Sequence, residues 1–129
     1  MIHINRIIEL LEIEYPLVKC TLDFYNPLQL LIATQLAAQC TDERVNKTTP
    51  ELFKKYKTAQ DFANADITEL ENIIKPTGFY HNKARNIIAC CKKLLQDFNG
   101  IIPDDIDLLI KLPGVGRKTA NVVLAEVYN

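Results

Sequence analysis

Lys118 stands directly after Arg117 and two residues after the second glycine of Pro113-Gly114-Val115-Gly116. A lysine there is unlike one on an ordinary solvated face, and an amine is a nucleophile wherever it is unprotonated. Free lysine titrates near roughly 10.4, so the chemistry needs surroundings that disfavour the ammonium. The flanking residues predict such surroundings. Pro113 disfavours the helical conformation in Leu112 and ends a preceding helix. Gly114 and Gly116 are expected to take positive φ angles in a tight hairpin, with Val115 as its apolar plug. A second helix is expected to begin near Arg117. The unpaired N–H groups of the hairpin and of that first turn would point outward together, forming a seat for a phosphate oxygen. The same positive helix end, with partial burial of Lys118, would lower the lysine pKa.

A P-G-x-G is also a common loop, and a lysine near a helix start is in most proteins merely solvated. Here all thirteen residues from Leu112 to Leu124, LPGVGRKTANVVL, fit one pattern, and Val122, Val123 and Val127 supply the apolar face of the following helix. The pattern is that of a helix–hairpin–helix.

Other reactive groups are less organised. Cys20, Cys40, Cys90 and Cys91 form no C-x-x-C, and the adjacent pair makes a poor clamp, so reduced, buried thiols are expected. His3 and His81 have no partners at zinc-binding spacing, and no metal is expected on these side chains. The net charge of −1 argues at first against a nucleic-acid partner. Its distribution tempers that: residues 1–74 carry 7 basic and 11 acidic side chains, whereas residues 75–129 carry 8 and 5. The basic excess lies in the half that holds the hairpin. No apolar stretch is long enough to span a bilayer, and no secretory leader is evident, so a cytoplasmic protein without membrane contact is expected.

The elements that would position the hairpin read as helices throughout, giving an all-α, multi-helix barrel or bundle in a single domain over 1–129, with the hairpin motif at 105–128. Ile4, Ile7, Ile8 and Leu11 repeat at helical spacing before Pro16. Asn26-Pro27 is a cap followed by a first-turn proline, and Leu28–Ala38 is apolar on nearly every side, hence central and buried. Asp42 is expected to cap a short helix, and Thr49-Pro50 to start another through Tyr56. Thr58–Asp61 and Asp66–Glu69 read as helix starts, the second close to a capping box. Lys83–Phe98 is a clear helix ended by Asn99-Gly100. Asp104 or Asp105 starts the first helix of the hairpin motif.

At this point the chain resembles the endonuclease III family of DNA glycosylases. The hairpin segment matches that of the family. Ala37-Ala38-Gln39-Cys40-Thr41-Asp42 is similar to its S/A-A-Q-x-T-D segment, and Gly78-Phe79-Tyr80-His81-Asn82-Lys83-Ala84 to its G-x-Y-x-x-K-A segment. The resemblance implies base-excision repair of duplex DNA that holds damaged bases or abasic sites. Lys118 would attack C1′, expel an oxidised pyrimidine and form a Schiff base, and β-elimination would nick the strand. Gln39 would fill the gap left by the flipped base, and Phe79, where the family often has leucine, would wedge the opposite strand. Gly114, Val115, Gly116 and Arg117 would hold the backbone phosphate. Leu112, Thr119, Lys83 and His81, the last as a surface loop residue, join the expected DNA contacts. On the residues alone, Gln39 reads equally as an ordinary polar helix end, Phe79 as core, and Asp42 as a cap more than a catalytic acid.

Family members continue beyond this helix to an aspartate in a V-D-T-H context, and many carry four cysteines that hold a 4Fe–4S cluster. Neither occurs in this sequence. The expectation is therefore the N-terminal part of such a protein, weakly active or inactive alone, binding no cofactor itself. The full-length protein is expected to be a monomer, and the shorter chain to self-associate through the stripe at Ile4, Ile7, Ile8 and Leu11. Two rival readings remain. A non-enzymatic hairpin module would grip DNA without needing Lys118, and an adenine-mismatch glycosylase typically lacks that lysine.

Overall fold

The computed structural model describes residues 21–128. The stripe at Ile4, Ile7, Ile8 and Leu11, together with His3 and Cys20, lies outside the described residues. Within them the chain forms seven α-helices and one 3₁₀ helix: α1 (Pro27–Leu36), α2 (Asp42–Lys55), α3 (Ala59–Ala63), α4 (Ile67–Ile74), the 3₁₀ helix Lys75–Thr77, α5 (Tyr80–Phe98), α6 (Ile106–Leu109) and α7 (Arg117–Val127). No strand occurs among the described residues.

The Asn26 side chain caps α1 by accepting from Gln29 N at 2.9 Å, and Pro27 opens the helix. Every residue from Leu30 to Leu36 is buried, as expected of a helix apolar on nearly every side, with Thr34 and Gln35 the polar members of the stretch. α1 is thus the central element, packed on α7, α2 and α5. Thr58 and Asp61 form a reciprocal capping box at α3, while Asp66 accepts from Thr68 N and Glu69 N to start α4. The capping box therefore lies one helix earlier than the sequence pattern placed it.

Two other boundaries differ from expectation. α2 runs through Pro50 as one helix instead of breaking at Thr49-Pro50, and Thr41 rather than Asp42 is its cap. Val45, Thr48, Thr49 and Leu52 form one continuous buried face across the proline, whose own ring is exposed. That packing outweighs the roughly 3 kcal/mol that an interior proline costs. α5 begins at Tyr80, three residues before Lys83, so His81 is helical and not a loop residue. Asn99 and Gly100 end α5 in the left-handed conformation, with φ of 54° and 80°.

Candidate nucleic-acid interface

The hairpin forms where the sequence placed it. Asp105 caps α6 through Asp107 N at 2.7 Å, and α7 starts at Arg117. Leu112 and Val115 are buried, and Val115 N donates to Leu112 O at 3.1 Å across the hairpin. Leu112 therefore offers the surface only its backbone. Gly114 has φ of +78°, as expected. Gly116 does not: its φ is −92°, extended backbone open to any residue, and a Cβ there would meet nothing within 4 Å. It serves as the N-cap of α7 without a side-chain cap. The first-turn N–H groups of α7 thus face outward at the positive helix end, beside exposed Arg117 and Lys118. Lys118 is exposed and not partly buried as expected.

Lys118 lines a cleft of about 610 Å³ together with Cys40, Asp42, Gly116, Thr119 and Val122. α1 and α7 form its walls. Asp42, in the first turn of α2, accepts a hydrogen bond from the Thr21 hydroxyl. The sequence assigned Asp42 to capping, and nothing in its local spacing indicated that it faces the same cleft as the lysine.

A second cleft of about 310 Å³ lies on the other side of the hairpin, lined by Gln35, Gln39, Phe79, Asn82 and Asn86. Gly114 borders both clefts. Gln39 and Phe79 are exposed, Phe79 by 64%, and both hold left-handed backbone with φ of 54° and 48°. The structure brings these two side chains to one rim, next to the hairpin that carries Lys118.

Lys83 and His81, both expected DNA contacts, stand in different surroundings. Lys83 is buried at 7% exposure, and its ammonium donates to Leu36 O at 2.8 Å and Thr77 O at 2.9 Å. Desolvation pushes its pKa down. Two of its three N–H groups are thus held by backbone carbonyls, while its side chain still borders the second cleft. His81 is exposed on the first turn of α5, with Nδ1 2.9 Å from Glu71 Oε2.

Cys90 and Cys91 are buried free thiols, Cys40 is half-buried, and burial pushes Cys90 up to about 11. Among the described residues no three His, Cys, Asp or Glu side chains converge as a metal-ligand set. These residues therefore do not fit a four-thiolate cluster. No helix among them is long and apolar enough to cross a membrane.

Comparison with known proteins agrees with this geometry. Residues 32–126 match the family model for the HhH-GPD superfamily of base excision DNA repair proteins. The chain is 51% identical over 124 residues to endonuclease III of a Synechocystis species, covering 96% of this chain and 57% of that protein. It is 46% identical over 114 residues to endonuclease III of Bacillus subtilis, covering 88% and 52%. The chain thus spans little more than half the length of the curated relatives it matches. A solved non-covalent endonuclease III–DNA complex superimposes with a TM-score of 0.86 at 47% identity, covering 98% of this chain and 59% of that one. A trapped endonuclease III–DNA covalent intermediate matches equally well. The chain belongs to the HhH-GPD superfamily of base excision DNA repair proteins.

Proposed function

We propose that this chain is the hairpin-bearing helical part of a DNA glycosylase with abasic-site lyase activity, acting on oxidised pyrimidines in duplex DNA. The observation that carries the reading is the placement of Lys118: it sits on the first turn of α7, on the wall of a cleft, beside open helix-end N–H groups. The likeness to endonuclease III, and to that protein trapped covalently on DNA, supports the same reading.

In this proposal the backbone of Leu112, Gly114, Val115, Gly116 and Thr119, with the Arg117 side chain, holds a phosphate and sets the strand against the cleft. The damaged nucleotide leaves the stack and enters the 610 Å³ cleft. The Lys118 amine adds to C1′ as the bond from C1′ to the base breaks; the base leaves with the electron pair and takes up a proton, and the amine gives one up. Opening of the sugar gives the Schiff base. Loss of a C2′ proton then expels the 3′ phosphate and nicks the strand. Gln39 fills the vacated stack and Phe79 presses on the opposite strand. The hairpin motif spans 105–128 within one helical domain, and the protein works on DNA in the cytoplasm, away from membranes.

Borohydride trapping with an abasic-site duplex tests this reading. The wild-type chain should yield a covalent adduct that disappears in Lys118→Gln. Duplex binding without any wild-type adduct would refute the lyase chemistry and leave a module that only grips DNA.

A further inference from the structure

Lys83 is the one charged side chain buried among the described residues, and its surroundings explain why a charge is kept there. Its ammonium joins two carbonyls from distant parts of the chain. Leu36 is the last residue of α1, three positions before Gln39, and Thr77 ends the 3₁₀ helix, two positions before Phe79. Carbonyls at helix ends lack intrahelical donors and carry partial negative charge, so an ammonium between two such ends satisfies both. Gln39, three positions past the first carbonyl, and Phe79, two past the second, take the left-handed conformation, which costs roughly 1 kcal/mol or more for a side chain other than glycine and persists only where the surroundings hold it. The two exposed side chains of the second cleft thus hang from one buried nitrogen.

We propose that Lys83 is a positioning residue that ties the Gln39 and Phe79 turns together, so that both side chains enter a duplex as one unit. The inference rests on the repair reading for its consequence, but the tie itself belongs to the free protein. A methionine at this position would fill the same space without donating. If apolar filling sufficed, burying an ammonium would be an uncompensated cost.

The test uses Lys83→Met in the full chain with two readouts. Amide hydrogen exchange on the free protein should show protection falling about tenfold at 37–40 and 78–80, both turns together, while the α3–α5 packing keeps its protection. The second readout is the fluorescence of 2-aminopurine opposite a tetrahydrofuran abasic site, with the ratio of affinities for abasic and intact duplex. That ratio should fall about tenfold, with little loss of affinity for intact duplex, because the hairpin grip does not involve Lys83. Lys83→Arg, which keeps a donor, should recover part of both. Unchanged exchange at either turn would overturn the tie. Loosened turns with undiminished selectivity would overturn the positioning role. A wild-type chain with no preference for abasic duplex would instead refute the repair reading, and exchange would still decide the tie. Should Lys83→Met not fold, the wild-type Nζ decides: hydrogen-bond couplings to the Leu36 and Thr77 carbonyls are expected, and a rapidly exchanging Nζ without them would refute the tie.

Discussion

Gly114 lies so close to Gln35 that a methyl group added at Gly114 would stand 2.5 Å from the Gln35 side-chain oxygen and 2.9 Å from Asn86 Cβ. Gln35 is buried on the central helix, and its oxygen has no hydrogen-bond partner among the described residues. The hairpin thus docks on the core through a glycine backbone. That contact fixes where the first turn of α7, and with it Lys118, stands against α1.

The two hairpin glycines should therefore respond differently to alanine. Gly114→Ala combines φ of +78° with two close contacts and should destabilise by about 1–3 kcal/mol, read as a lower midpoint in urea unfolding. Gly116→Ala has open space and ordinary φ, so stability should change by no more than about 0.5 kcal/mol. Its DNA affinity should still fall, alike for all sequences, because the added methyl crowds a phosphate and not a base edge. Equal stability losses in the two variants would contradict the geometry.

The sequence made the hairpin legible because proline and glycine punctuate it: the positive φ at Gly114 and the helix start at Arg117 stand where expected, although α6 already ends at Leu109, four residues before Pro113. Central burial of Leu30–Leu36 was readable from a helix with no polar face. Lys83 was not readable. Its partners are backbone carbonyls 47 and 6 residues away, and no side-chain spacing records them. Pro50 misled for a related reason: its cost is local, whereas the buried face that overrides it belongs to the tertiary fold. The left-handed turn at Gln39 also escaped notice, since no glycine marks it.

That turn separates the Gln39 side chain from its backbone. Glycine takes φ of 54° without strain, so Gln39→Gly should change stability by less than about 1 kcal/mol. Preference for abasic over intact duplex should nonetheless drop. Phe79→Ala should lower that preference about tenfold or more, on the scale of about 1–3 kcal/mol for base–aromatic stacking, and Phe79→Leu should keep most of it. Competition binding with the two duplexes measures both effects. Undiminished preference in Phe79→Ala would show that the exposed ring is not a wedge.

Cys40 offers a probe of the cleft that does not depend on catalysis. It is half-buried and lines the cleft with Lys118, whereas Cys90 and Cys91 are fully buried. In a Cys20→Ser background, a thiol reagent should label Cys40 in the native protein and reach the other two only on unfolding. Bound abasic duplex should slow the Cys40 reaction if a nucleotide occupies the cleft. Labelling at an unchanged rate in a saturated complex would place the nucleotide elsewhere.

Stability should decline on the alkaline side. Burial pushes Cys90 up to about 11, and burial with the hydrogen bond to Glu69 at 3.0 Å pushes Tyr56 up to about 12. Each group is protonated in the folded state over a range where the unfolded chain has lost the proton. The unfolded state then binds fewer protons, and stability falls with rising pH. The contribution is complete below the unfolded values, about 8.5 for cysteine and about 10 for tyrosine, and is lost as pH climbs through the folded ones. Urea midpoints should hold up to about pH 8.5, fall above it, and fall more steeply above about pH 10. Tyr56→Phe should be less stable at neutral pH by about 1 kcal/mol, for the lost hydrogen bond, yet show a shallower decline above about pH 10. Parallel declines in variant and wild type would mean that the Tyr56 hydroxyl does not carry the alkaline sensitivity.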